Sequence, residues 1–169
     1  ISHNKKGKEM PIFGYNVAGS ISTSPENLIH GTVATCPENG YALYISAYLA
    51  FTDGARFKCA LYRASDNSLV AEIEELVGDG TIRWVNFNFP TPTPVYADET
   101  YIICVWADTT GQIFFDEPGE GRSQRATYNA WPDPLNPVVV GRNYSLYVYY
   151  ETALTIDVTP KSAKLTVGE

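Results

Sequence analysis

The sequence contains few of the residues on which metalloenzymes and nucleophilic enzymes depend. Of its 169 residues, only two are histidine and three are cysteine. Cys36, Cys59 and Cys104 lie far apart and form no Cys-x-x-Cys pair, so a zinc site is not expected. His-Glu-x-x-His, P-loop, Gly-x-Gly-x-x-Gly and Gly-x-Ser-x-Gly motifs are also missing. These absences argue against catalysis, and we expect a protein that is not an enzyme.

Long apolar runs and positive charge are scarce as well. No run approaches 18 apolar residues, so the sequence predicts no membrane insertion. Asp and Glu number 19 against 12 Lys and Arg, which gives a net charge of −7. Nucleic acids and anionic membranes bind basic surfaces, so neither is an expected partner. The chain begins Ile1-Ser2-His3 without an apolar signal sequence, which we interpret as a mature or excised segment.

Aromatic residues are abundant, at 13% of the chain with 12 tyrosines, and they favour strands. Short alternating runs are separated by turn residues at intervals of roughly 8–15 residues, and no stretch keeps a helical period. The pattern predicts an all-β, antiparallel β-sandwich at residues 12–152, after an N-terminal arm at 1–11 and before a segment at 153–169. About nine strands are predicted, at 12–18, 28–35, 41–52, 56–63, 69–76, 81–89, 100–107, 111–116 and 143–151.

Alternation within the strands predicts which side chains enter the core. In residues 81–89, Val85 and Phe87 share one face, whereas Trp84 and Asn86 share the other. In residues 143–151, the two sets are Tyr144, Leu146, Val148 and Tyr150 against Ser145, Tyr147 and Tyr149. Cys59 and Cys104 lie within apolar strand patterns and are expected to be core residues, with one disulfide and a leftover thiol as the alternative.

Residues 117–142 form a long segment with four prolines and no clear strand pattern. Loops of this length in compact domains are usually functional or disordered. Tyr128 and Trp131, flanked by proline, favour an ordered loop. The run Pro90-Thr-Pro-Thr-Pro94 is expected to end the preceding strand, and His30 is expected at the surface or facing a turn.

Several short segments resemble a known family. The matching elements are Thr35-Cys-Pro-Glu-Asn-Gly40, Ala60-Leu-Tyr62, Trp84-Val-Asn-Phe-Asn-Phe89 and Val95-Tyr-Ala-Asp-Glu-Thr-Tyr101. Together they make roughly residues 30–110 similar to extracellular jelly-roll modules of carbohydrate-binding type from surface proteins of bacteria and archaea. Asp98-Glu99 stands where such modules usually have Gly-Thr. The resemblance implies a jelly-roll sandwich located outside the cell or on its surface.

The C-terminal segment carries a second resemblance. Val158-Thr-Pro-Lys-Ser-Ala-Lys-Leu-Thr-Val-Gly-Glu169 is similar to the opening of bacterial immunoglobulin-like repeats. Either this segment begins a following immunoglobulin-like module, or residues 155–167 form an extra strand that pairs with a neighbouring copy.

Aromatic side chains are the expected ligand-binding residues. Sugar rings present apolar C–H faces that flat aromatic rings hold, with nearby amides for the hydroxyl groups. The candidates are Trp131 and Tyr128 in the long segment, and Trp84, Asn86, Tyr147 and Tyr149 on a sheet face. The expected function is therefore a noncatalytic binding or adhesion module, with polysaccharide or another glycan as partner.

Other interpretations stay open at this point. The same aromatic residues could cover a second buried surface or a subunit contact, and the chain could be a subunit of a surface fibre or stalk assembled by strand exchange through its termini. No cofactor is expected, although jelly-roll modules often hold a structural calcium ion, for which Asp53, Asp79 and Asp108 offer turn carboxylates. Glu72 and Glu74 form a weak candidate for a hydrolytic carboxylate pair, and a solvated strand face is the favoured interpretation of them.

Overall fold

The computed structural model describes residues 10–152, and all fourteen regular elements in that range are β-strands. Residues 153–169 and almost all of the predicted arm lie outside the described residues. The strands are β1 Ile12–Gly14, β2 Ile21–Thr23, β3 Leu28–Thr35, β4 Gly40–Phe51, β5 Arg56–Arg63, β6 Leu69–Glu72, β7 Leu76–Val77, β8 Thr81–Val95, β9 Thr100–Ala107, β10 Gln112–Asp116, β11 Gly121–Arg125, β12 Val138–Val140, β13 Asn143–Tyr144 and β14 Leu146–Thr152.

The strands form two packed sheets in which every strand pairing is antiparallel. Sheet I contains β1, β2, β4, β8, β10, β13 and β14, and sheet II contains β3, β5, β6, β7, β9, β11 and β12. In sheet I, β4 lies between β8 on one side and β14 with β10 on the other. The prediction of an all-β antiparallel sandwich is confirmed, and the architecture is compatible with a jelly roll. All nine predicted strands are present, and the larger number arises from short strands and from interruptions.

The core lies between the two sheets and contains the residues that alternation predicted. Val85 and Phe87 of β8 are at most 1% exposed, and they pack with residues such as Leu61 and Val105 of sheet II. Tyr144, Leu146, Val148 and Tyr150 are buried in the same cluster. Gly54 and Gly80 have positive φ angles of 77° and 83° at the turns that precede β5 and β8, where residues with a Cβ would be strained.

All three cysteines are buried free thiols. Cys59 belongs to the core between the sheets, and Cys104 to a second apolar cluster on the outer side of sheet II. The prediction that Cys59 and Cys104 are core residues is confirmed. Burial raises the pKa of both thiols above the ordinary value.

Predictions of strand extent were wrong in three places. The first predicted strand, 12–18, ends at Gly14. Strand β8 continues through the proline run to Val95 instead of ending at residue 89. Proline has no backbone N–H group and is therefore tolerated only where no strand pairs with it. Among the described residues β8 pairs only with β4, so its outer edge needs no N–H donors and can contain the prolines. The long segment 117–142 was expected to be a loop, but it contains β11 and β12, which extend sheet II beyond β3.

His30 was expected at the surface or facing a turn. It is only 1% exposed, so the surface alternative was wrong, and its ring faces the turn between β2 and β3. Its Nε2 lies 3.0 Å from the Ser24 carbonyl oxygen, to which it donates, and its Nδ1 lies 2.7 Å from Ser123 Oγ. The hydroxyl groups of Ser123 and Tyr144 are 3.1 Å apart and continue the network. Partners at both ring nitrogens compensate for the loss of hydration of the buried imidazole.

Candidate functional site

The first predicted pair of ligand-binding residues, Trp131 and Tyr128, packs against the outer side of sheet II. Trp131 is 7% exposed, and its ring lies 5.1 Å from that of Trp106. Tyr128 is partly buried, with its ring 5.3 Å from the same tryptophan. Trp131 and Tyr128 therefore meet in a small apolar cluster. The burial of Trp131 leaves little ring surface exposed for contact with a ligand.

Lys58 occupies the centre of this cluster. Its ammonium group lies 4.7, 4.4 and 5.4 Å from the ring centroids of Trp106, Tyr128 and Trp131. It also donates a hydrogen bond to the carbonyl oxygen of Asn129. Burial lowers the pKa of the ammonium group. The rings thus surround a cation of the protein itself, which stabilises the loop against sheet II.

Backbone contacts hold the same loop in place. Trp106 Nε1 donates a hydrogen bond to the carbonyl oxygen of Ala126 at 3.1 Å. The Tyr62 hydroxyl group donates to the carbonyl oxygen of Pro132 at 2.7 Å. The Tyr128 hydroxyl donates to Glu75 at 2.8 Å, and burial raises the pKa of this phenol. These bonds tie the loop to β5 and β9 and give it a structural role.

The second predicted group lies on the opposite side of the protein, on the outer face of sheet I. Trp84 and Asn86 of β8 and Tyr147 and Tyr149 of β14 flank the central strand β4. Their registers align them with Tyr44, Ser46 and Tyr48 of β4. We define the aromatic face as Tyr44, Ser46, Tyr48, Trp84, Asn86, Asn88, Phe114, Tyr147 and Tyr149.

The six rings of the aromatic face form two contiguous groups. Tyr44 and Tyr149 stack with centroids 4.9 Å apart and planes 11° apart. Tyr48 links Trp84 at 5.4 Å to Phe114 at 4.9 Å, and Trp84 reaches Tyr147 at 5.1 Å. All six rings are partly buried, and the amides of Asn86 and Asn88 are exposed beside them. Exposed amides next to partly exposed rings supply both polar and apolar contacts for a ligand.

The aromatic face carries no charged side chain at any of its nine positions. Burial is the main cause that raises the pKa of Tyr44, and the neighbouring phenols of Tyr147 and Tyr149 raise it further. The Tyr44 hydroxyl group therefore stays neutral at physiological pH and can both donate and accept hydrogen bonds. The nearby Asp116 already accepts hydrogen bonds from Tyr15 and Ser20.

Sequence reasoning identified the residues on β8 and β14 but missed Tyr44, Tyr48 and Phe114. A local signal for the β4 residues existed, because Tyr44, Ser46 and Tyr48 alternate with the core residues Ile45 and Ala47. Phe114 needs knowledge of the sheet, because it enters the face through the pairing of β10 with the end of β4.

Metal ligands do not converge in the described part of the chain. Within residues 10–152, no three His, Cys, Asp or Glu side chains come close enough to hold an ion. Asp79 accepts hydrogen bonds from Thr81 and Arg83, and Asp108 accepts one from the Arg56 backbone. The expectation of a structural calcium ion stays a prediction.

Among the described residues, no helix is long and apolar enough to cross a membrane.

Comparison of the chain with protein-family models and with curated proteins found no match.

Proposed function

We propose that this domain is a noncatalytic extracellular module that binds neutral carbohydrate chains across the aromatic face. The observation that carries the proposal is the continuous ring contact from Phe114 through Tyr48 and Trp84 to Tyr147 on one outer sheet face. Contiguous apolar surface rimmed by polar residues is a typical feature of interaction sites. Rings with exposed amides at their side suit the mixed C–H and hydroxyl surface of a sugar.

The charge of the protein supports a neutral ligand. The aromatic face has no basic side chain that could pair with a carboxylate or sulfate group, and the whole chain carries a net charge of −7. An anionic polysaccharide would meet repulsion without a compensating ion pair. A neutral glycan meets no such repulsion, and its hydroxyl groups can bond to Asn86 and Asn88.

Affinity electrophoresis tests the proposal directly. Native gels would contain hydroxyethyl cellulose, glucomannan, xyloglucan or amylopectin, with polygalacturonate as the anionic comparison. We expect at least one neutral polymer to retard the protein, and a double variant with Trp84→Ala and Tyr147→Ala to migrate freely. Tyr96→Ala is the matched control, because Tyr96 is 53% exposed and lies outside the aromatic face. The proposal fails if no neutral polymer retards the parent, or if the double variant is retarded equally.

A second candidate function is a subunit of a surface fibre or stalk, and an exposed sheet edge favours it. In the described range, β12 pairs only with β11, and its side chains Val138 and Val139 are 64% and 68% exposed. An apolar edge strand with free N–H and C=O groups accepts an extended segment of another chain. Residues 155–167, with their alternating Lys164-Leu165-Thr166-Val167 run, are the candidate donor strand.

The size of the full-length chain in solution tests this second function. A charge at an edge position blocks strand addition, so Val139→Lys should convert an assembled chain into monomers. Val17→Lys is the control, since Val17 is 50% exposed and lies outside the strands. Light scattering that finds a monomer for the unaltered chain at high concentration would exclude assembly through this edge.

A further inference from the structure

Ser46 lies at the centre of the aromatic face, on the middle strand β4. Its neighbours Ile45 and Ala47 belong to the core between the sheets, so Ser46 points to the outer side. It is nevertheless 0% exposed. Among the described residues, its Oγ has no hydrogen-bond partner. A buried hydroxyl group without a partner is unfavourable compared with a bonded one, and alanine at this position would avoid the penalty.

From the strand registers and the ring separation, we infer that two rings on different strands cover Ser46. Trp84 stands on β8, opposite Tyr48, and Tyr147 stands on β14, opposite Ser46. Because β4 separates these strands, their backbones are about 10 Å apart. The two ring centroids are only 5.1 Å apart. The rings therefore lean towards each other across β4, at the place where the small serine side chain leaves room for them.

We propose that Ser46 anchors a sugar hydroxyl group in a subsite that opens when the Trp84 and Tyr147 rings move apart. The inference rests on the proposed carbohydrate-binding function. Partly exposed side chains change rotamer on a fast timescale, so the opening needs no backbone movement. In the open arrangement the two rings form apolar walls and the Ser46 hydroxyl forms the floor.

An alcohol group of a neutral sugar fits this floor better than other ligand groups. The serine and sugar hydroxyl groups are each both donor and acceptor, so they satisfy one another in either direction. Asn86 lies directly opposite Ser46 on β8, and its exposed amide can bond to a second hydroxyl group of the same ring. The walls contact the C–H faces of that ring. A charged group would find no counter-ion on the aromatic face.

The Ser46→Ala variant tests the subsite. The binding of hydroxyethyl cellulose and glucomannan would be measured by affinity electrophoresis and calorimetry, and thermal unfolding would be followed for the same samples. We expect about a tenfold loss of affinity, as for the loss of one hydrogen bond, together with a Tm equal to or above that of the parent. Ser65→Ala is the matched control, because Ser65 is exposed in the turn between β5 and β6 of sheet II, and it should change neither quantity.

The outcomes separate this inference from the proposed function. If Ser46→Ala binds as tightly as the parent while the Trp84 and Tyr147 double variant does not bind, the subsite is overturned and the aromatic face is retained as the binding site. If Ser46→Ala lowers affinity but also lowers Tm as much as the double variant does, Ser46 acts through packing and the anchoring role is overturned. If the parent binds no neutral polymer, both inferences fail.

Discussion

Trp84 and Tyr147 have ring centroids 5.1 Å apart and planes 59° apart, although a whole strand lies between their backbones. This contact joins the β8 side of the aromatic face to the β14 side across β4. We infer that it also covers Ser46. It places the most exposed tryptophan of the protein at the centre of the proposed site, because Trp106 and Trp131 are 1% and 7% exposed. The other two tryptophans lie on the far side of the sandwich.

This distribution predicts that Trp84 alone reports ligand binding in the intrinsic fluorescence. Titration with hydroxyethyl cellulose or glucomannan should shift the emission of the parent, because a sugar changes the solvation of this partly exposed indole. Trp84→Phe should keep the ring surface and lose the fluorescence change. A full change that persists in Trp84→Phe would place the ligand near Trp131 instead.

The ring tilts predict a preference for soluble chains over crystalline polysaccharide. Tyr48 is tilted 53° from Trp84 and 58° from Phe114, so these rings present no common plane. A flat crystal surface contacts only coplanar rings well, whereas a flexible chain adapts to an uneven face. Sedimentation with microcrystalline cellulose and chitin should leave the protein in the supernatant, while soluble neutral polymers retard it in gels. Tight binding to a crystal surface at the aromatic face would contradict this reasoning.

Local alternation was sufficient to predict the fold class and four of the nine residues of the aromatic face. The period of two places Trp84 and Asn86 on one side of β8, and Tyr147 and Tyr149 on one side of β14. It carries no information on which strands are neighbours, so the role of β4 between them needed the tertiary structure. Non-local pairing also explains why β11 was missed, since Gly121-Arg-Ser-Gln-Arg125 has no apolar alternation and is a strand because it pairs with β3.

The two aromatic groups look alike in sequence and differ in their surroundings. Trp131 and Tyr128 lie in a segment with several prolines and glycines, a context that also suits a binding loop. Trp131 and Tyr128 pack against Trp106 of β9 and contact the ammonium group of Lys58 of β5. Both partners are distant in the chain and leave no local signal in the sequence of the loop.

The burial of Trp131 predicts that its replacement affects stability more than binding. Trp131→Ala should lower the free energy of unfolding by about 3–5 kcal/mol, the usual range for a large aromatic residue removed from a packed cluster. Lys58→Met should cost about 1–2 kcal/mol through the lost cation–π contacts. Urea denaturation measures both effects, with Tyr96→Ala as a control near zero. The folded fraction of the Trp131→Ala variant should still bind any glycan that the parent binds. If this variant instead lost glycan binding while its stability stayed unchanged, the ligand would be assigned to this loop.

The buried His30 network predicts a loss of stability in mild acid. Burial is the main cause that lowers the pKa of His30 to about 4, Arg142 lowers it further, and the hydrogen bond to the Ser24 carbonyl opposes the shift. In the unfolded chain the imidazole has an ordinary pKa near 6.5. Between these values the unfolded state binds a proton that the folded state does not, so stability is full above about pH 6.5 and falls as the pH is lowered to about 4.

The size of this effect and its assignment to His30 can both be measured. A difference of about 2.5 pKa units corresponds to about 3 kcal/mol. His30→Gln keeps a donor towards Ser24 without titrating, so its stability should change much less between pH 7 and pH 4. The folded-state pKa values of Asp66, Asp79 and Asp116 are lowered, and their contributions are lost only at more acidic pH in the parent and the variant alike. The difference in the free energy of unfolding between the parent and His30→Gln, measured by urea denaturation, therefore gives the contribution of the His30 imidazole. If the two plots of stability against pH were parallel across this range, His30 would be solvated when protonated in the folded protein.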